Sequence, residues 1–177
     1  ARHIGDMHAG GQLQLSVHGQ LENQGTVEAG QQLHLQADSL INAQPGSIKA
    51  RQLQADITGD TDNRGLMDGG LTILRAAKLN NLGTGRLYGD QIQLDTKQLL
   101  NAEENGQAAV IAARDSLDIA TSQLENREHA LLFSAGDLRI GGQLDSLGRA
   151  SGAAGNIRNA SASIEALGNM VLAADTV

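Results

Sequence analysis

"NQGTVEAGQQLHLQADSLIN" (residues 23–42) and "NLGTGRLYGDQIQLDTKQLLN" (residues 81–101) are two versions of one unit. Each runs through a hydrophobic residue, a small residue, then Leu-x-Leu or Ile-x-Leu, then Ala or Thr, and closes on Leu-x-Asn. Working outward, Met67, Gly69, Thr72, Leu74, Ala76, Leu79 and Asn81 superimpose without a gap on Leu87, Gly89, Ile92, Leu94, Thr96, Leu99 and Asn101. The copy ending at Asn42 (Val27, Ala29, Leu33, Leu35, Ala37, Leu40) needs one extra residue. A partial copy opens the chain at Met7, Ala9, Leu13, Leu15, Val17, Leu21 and Asn23.

The closing asparagines are Asn23, Asn42, Asn63, Asn81, Asn101 and Asn126, spaced by 19, 21, 18, 20 and 25 residues. A unit of this length is too short to bury a core alone, so the pattern implies a solenoid of stacked coils. Within a unit the alternation has period 2, as in "QLHLQA" (32–37) and "QIQLDT" (91–96), with Leu inward and Gln, His or Asp outward. Runs this short must pair with the same run one coil above and below. The expectation is an all-β chain, a parallel β-helix with coils of about 20 residues. Residues 1–177 then form one segment of about eight coils.

Two properties of asparagine suit the closing position. It tolerates the left-handed backbone of a sharp corner, and identical asparagines stacked along an axis can hydrogen-bond as a ladder. Gly25, Gly46, Gly65 and Gly83 follow closely and fit the next corner.

Regularity decays after Asn101. "NAEENGQAAV" (101–110) inserts residues before the strand "SLDIAT" (116–121), and "FSAGDLRIGG" (133–142) starts a clear coil. "SLGRASGAAGNIRNAS" (146–161) lacks the pattern and reads as an extruded loop or a distorted coil. The pattern returns in "ASIEALGNMVLAAD" (162–175). Both termini fall in mid-pattern without a cap, which marks a fragment of a longer array and predicts end-to-end association of exposed coils.

Composition agrees. Aromatics are 1% (Tyr88 and Phe133, no Trp), which suits aliphatic layers that must each fit the next. A net charge of −7 argues against a nucleic-acid partner, whose phosphates demand a basic face. No apolar run approaches a membrane span, so no membrane insertion is expected. The absence of cysteine leaves stability to stacking and suits export of an unfolded chain.

Few residues suggest chemistry. His3, His8, His18, His34 and His129 are the metal candidates by type, and read best as solvent-facing. Asp56, Asp60, Asp62 and Asp68 offer oxygen ligands for Ca²⁺ but read best as a solvated corner. Glu103 and Glu104 read as loop charges. A polysaccharide-active enzyme needs clustered carboxylates and favours aromatic platforms; Tyr88 alone suits one. Arg139, Arg149 and Arg158 flank the irregular segment as a small basic patch or as solubilising charges. The segment 146–161 is the place to look for recognition, because loops on a rigid scaffold usually carry it. No catalytic, cofactor-binding or metal-binding residue is expected, and the six asparagines are read as structural.

"LENQGTVEAGQQLHLQADSLIN" (21–42), "TDNRGLMDGGLTILRAAKLNN" (61–81) and "LGTGRLYGDQIQLDTKQLLN" (82–101) resemble the filamentous haemagglutinin repeat of large exoproteins secreted by Gram-negative two-partner systems. Those exoproteins include adhesins and contact-dependent growth inhibition effectors; "GTGRLYGDQIQL" (83–94) is especially similar to the effectors' repeats. The resemblance covers roughly residues 5–145. It implies a right-handed parallel β-helix in a cell-surface filament, exported through an outer-membrane transporter, and projecting a distal receptor-binding or toxic domain toward a host or target cell. Direct adhesion to a receptor is the alternative role. The resemblance carries over no catalytic residue.

Overall fold

A strand of four to six residues cannot satisfy its own backbone, so each coil takes its hydrogen bonds from the coils above and below. The computed structural model describes residues 1–3 and 5–177, which contain no helix. Each coil contributes three strand segments, and like segments pair in parallel from coil to coil. Long bent strands such as Thr26–Asn42, Leu66–Leu82 and Arg86–Glu104 pass through the corners unbroken, joining the three faces into one sheet. The chain makes about nine turns.

Alternation along each segment turns one set of side chains inward, and the parallel register stacks them as columns. Val27, Ile48, Met67, Leu87, Ile111 and Leu132 form the column of the first face. Leu35, Ala55, Leu74, Leu94, Ile119 and Ile140 form one column of the second. Leu40, Thr61, Leu79, Leu99, Leu124 and Ile157 form that of the third. All are buried, most to 0% exposure. Burial of one such Leu or Ile contributes on the order of 1.5–3 kcal/mol, and the total grows coil by coil. Both aromatic rings lie outside these columns.

The corner between the third and first faces is packed backbone to backbone. Gly25, Gly46, Gly65, Gly85, Ala109 and Ala130 occupy it in successive coils, each accepting a hydrogen bond from the backbone N–H that opens the next first-face segment. A Cβ on Gly65 would lie 2.2 Å from the Gly46 carbonyl oxygen and 2.7 Å from Asn42 Nδ2. Close approach thus requires glycine at 46, 65 and 85, with no left-handed backbone there, while the coils that follow an inserted turn carry Ala109 and Ala130 at the same place. The residue in line with Gly65 is Gly85; Gly83 sits in the turn before it with φ +56°.

Two excursions leave the stack. The first is a short hairpin, Glu103–Glu104 against Gln107–Ala108, turned by Asn105 and Gly106 at positive φ. The second divides the stretch 146–161. Residues 142–153 form an extruded antiparallel hairpin, pairing Gln143–Leu144 with Ala150–Ser151. From Ala154 the chain re-enters the coil, and Ala154–Ala160 pairs in register with Gln123–Arg127 on the third face. Gly141 and buried Ala154 flank the hairpin, and the coil on either side of it keeps the standard order of faces.

Candidate functional site

The asparagines stand at the end of the third segment, fully buried at 0% exposure from Asn23 to Asn126. In every coil Nδ2 donates to Oδ1 of the asparagine in the next coil: Asn23 to Asn42 at 2.9 Å, Asn42 to Asn63 at 2.8 Å, Asn63 to Asn81 at 2.9 Å, Asn81 to Asn101 at 2.8 Å, and Asn101 to Asn126 at 2.9 Å. The same amide gives its second hydrogen to the carbonyl that opens a first-face segment, as from Asn42 to Leu66 at 3.1 Å and from Asn101 to Leu131 at 3.0 Å. Each side chain therefore ties a coil to its neighbour and ties two faces together. A buried amide is tolerable only when its donors and acceptor are met, and repetition meets them.

None of the six asparagines has the left-handed backbone expected of a corner residue. Among the described residues the non-glycines at positive φ are Asn105, Glu128, His129 and Ser161. Asparagine is there because its one side chain is both donor and acceptor along the axis, a requirement of the ladder and not of the turn. The ladder also has a seventh rung: Asn126 donates to Asn159 Oδ1 at 2.9 Å. The Ile157-x-Asn159 spelling repeats Leu-x-Asn, but the hairpin before it hides the phase. At the other end His3 pairs in register with Asn23, its Nε2 3.1 Å from the Thr26 carbonyl oxygen.

The charged candidates are dispersed. His8 lies on the first face, 3.3 Å from Glu28, and His34 on the second, 2.8 Å from Asp56. Asp56, Asp60 and Asp62, and Asp68 fall on the second, third and first faces respectively. Among the described residues no three His, Asp or Glu side chains gather as a ligand set. Burial raises the Asp56 carboxyl, but hydrogen bonds from His34, Gln54 and Arg75 outweigh it, and the group sits below its ordinary pKa. Glu104 is not a free loop charge. It grips Arg64 two coils away through a two-pronged pair, Nε at 2.5 Å and Nη2 at 2.8 Å, which lowers its pKa.

Of the three arginines around the irregular segment, Arg139 and Arg149 line one cleft on the second face beside Asp118 and Asp137. Arg139 is held there by Asp118 at 3.4 Å and Asp137 at 2.5 Å, while Arg158 lies apart, 3.6 Å from Glu125 on the third face. The extruded hairpin lies against the second face: Asp118, 2% exposed, accepts the Ala150 N–H at 2.9 Å.

The first face carries a surface unlike the others. Its outward columns are Thr26, Ser47, Leu66, Arg86, Val110, Leu131 and, beside them, Glu28, Lys49, Asp68, Tyr88, Ala112, Phe133. The pattern changes midway from polar to apolar, and both aromatic residues of the chain stand in one column with Ala112 between them. A cleft of about 460 Å³ opens beside them over Gly70, Gly89 and Ala112, walled by Asp68, Asp90 and Arg114. Sequence reading found Tyr88 but not its partner, because the rings meet on one column only after the coils are stacked.

A family model described as the haemagglutinin repeat matches residues 8–136 and 128–177. No curated protein and no solved structure matches the chain.

Proposed function

Because the chain belongs to the haemagglutinin repeat family, we propose that it is a length of rigid shaft in a secreted filamentous exoprotein, projecting a distal receptor-binding or toxic domain from the surface of a Gram-negative cell. The observation that supports this reading is the continuity of the stack. Three faces and one buried amide ladder run from coil to coil across both excursions. Each coil adds about 4.8 Å, so about nine turns span roughly 43 Å, and stiffness comes from hydrogen bonds directed along the axis.

In this reading the asparagines are structural, and Glu104, Asp56 and Asp137 are engaged in ion pairs with Arg64, Arg75 and Arg139. The cysteine-free chain would cross an outer-membrane transporter unfolded and gain its stability by stacking outside. The partners are then that transporter during export and a host or target-cell receptor for the distal domain.

Deletion of residues 66–85 from the full-length exoprotein tests the reading, because Arg86 stands in register with Leu66 and would continue from Gly65. A shaft should shorten by about 4.8 Å in small-angle scattering while secretion and target-cell binding persist. Normal secretion of a folded filament that no longer binds cells would show that this segment itself recognises the target, and would overturn a purely mechanical role.

A further inference from the structure

We propose that the cleft on the first face binds a neutral oligosaccharide. Tyr88 and Phe133 occupy one outward column two coils apart, a separation of roughly 10 Å. Their register is fixed by the sheet, so the two rings form a pair of platforms at constant spacing. That spacing is close to the length of a disaccharide unit in an extended glycan, in which alternate sugars present the same face. Ala112 between the rings keeps the intervening position low.

The rest of the cleft has the complementary chemistry. Gly70 and Gly89 leave a floor free of side chains, on which a sugar ring can approach the backbone. Asp68, which continues the column one coil beyond Tyr88 and has no side-chain partner among the described residues, and Asp90, held by Arg114 at 3.2 Å, also line the cleft. Carboxylates accept hydrogen bonds from hydroxyl groups, and charged acceptors make the stronger bonds. Aromatic faces bury the apolar C–H side of a pyranose and leave its hydroxyl edge for the wall. The same carboxylates, in a chain of net charge −7, repel uronate and sulfated glycans. This selects a neutral ligand. The site is independent of the shaft reading: a filament segment can lack it, and a glycan-binding module need not be a shaft.

Tyr88 is the sole tyrosine in a chain without tryptophan, so its fluorescence reports on this cleft alone. The experiment titrates the chain 1–177 with cellohexaose, xylohexaose, mannohexaose and chitohexaose, with a heparin hexasaccharide and oligolysine as charged comparators. Saturable change with at least one neutral probe is expected, weakened at least tenfold in Phe133→Ala, which keeps the reporter, and unchanged in Gln36→Ala on the second face. Phe133 is outward, so the variant should retain its melting temperature; if it unfolds, Tyr88→Phe should retain and Tyr88→Ala should lose binding by calorimetry. No response to any neutral probe, equal affinity in the folded ring-deletion variants, or response only to heparin, only to oligolysine, or only to protein concentration would overturn the proposal.

Discussion

The coils between Thr26 and Asn101 and those after Leu131 obey the same hydrogen-bond plan with different tolerance for irregularity. In the first group every third-face segment closes on a fully buried asparagine, and the inward columns are almost wholly aliphatic. In the second group no further coil stacks on the last one within residues 1–177, so Asn159 and the large apolar side chains of Leu167, Met170, Val171 and Leu172 are exposed at that end of the stack. Yet the hairpin 142–153 interrupts a coil there without displacing the third face. The contrast teaches that register is held at two places, the inward columns and the amide ladder. Chain leaving between them is tolerated wherever it returns to the next position in phase.

The contrast would break most sharply if a charge were tolerated in the regular columns. Leu94 is 0% exposed between Leu74 and Ile119, so Leu94→Asp buries a carboxylate with no partner. A loss above about 4 kcal/mol is expected, enough to unfold the affected coils. In the 177-residue chain Leu172 follows Ile140 in the same column but is 38% exposed with no coil stacked on it, so Leu172→Asp should cost less than about 1 kcal/mol there. Urea midpoints compare the two, and equal midpoints would refute the difference between the regions.

The ladder gives the second test. Asn81→Leu preserves approximate volume but strands Asn63 Nδ2, Asn101 Oδ1 and the Val110 carbonyl. Buried polar groups left without partners cost about 1–3 kcal/mol each before relaxation, so a loss of about 3 kcal/mol is expected. Asn159→Leu, at the exposed rung, removes a link that water can replace and should cost about 0.5–1 kcal/mol. Thermal melts that rank the two the other way would show that the ladder follows the fold and does not hold it.

How much of this was legible from sequence depends on what recurs. Strand alternation, inward Leu and the closing Asn repeat in phase, so the parallel stack and the ladder could be read from residues 23–101. The backbone reason for asparagine could not: turn propensity and axial hydrogen bonding favour the same residue, and only φ separates them. The corner column of Gly25, Gly46, Gly65 and Gly85 was half visible, because Gly83 competes with Gly85 until the register is known. Asn159 and the bounds of the hairpin were hidden by a Gly, Ala and Ser-rich stretch with no period. The pairing of Glu104 with Arg64 and of Tyr88 with Phe133 depends on stacking and has no local signal.

Removal of the hairpin is the third test. Joining Gly141 directly to Ala154 deletes residues 142–153 and leaves the second and third segments in their observed order. The deletion exposes Asp118 and removes its bond from the Ala150 N–H, while the Arg139 pair remains. A change of about 1 kcal/mol is expected, with strand content intact by circular dichroism. A collapse of the last two coils, seen as loss of hydrogen-exchange protection from Leu131 onward, would make the hairpin a structural element and not an insertion.

The smallest effect is acid sensitivity, and it distinguishes side-chain ties from the ladder, which does not titrate. Asp56 and Glu104 both sit below their ordinary pKa values in the folded chain, Asp56 through His34, Gln54 and Arg75 against its burial, Glu104 through Arg64. A carboxylate whose folded pKa is depressed adds stability that is fully present above the unfolded pKa, near 3.8 for Asp and 4.5 for Glu. That stability declines as pH falls through this range toward the folded pKa, because protonation is then favoured in the unfolded chain. Stability measured from pH 7 downward should therefore stay level to about pH 5 and then fall. Asp56→Asn with Glu104→Gln should flatten that fall while lowering the plateau slightly, since both pairs are partly solvated and weak at neutral pH. An unchanged acid slope in the double variant would place the titrating groups elsewhere, with Asp137 and Asp145, also lowered by backbone hydrogen bonds in the irregular region, next in line.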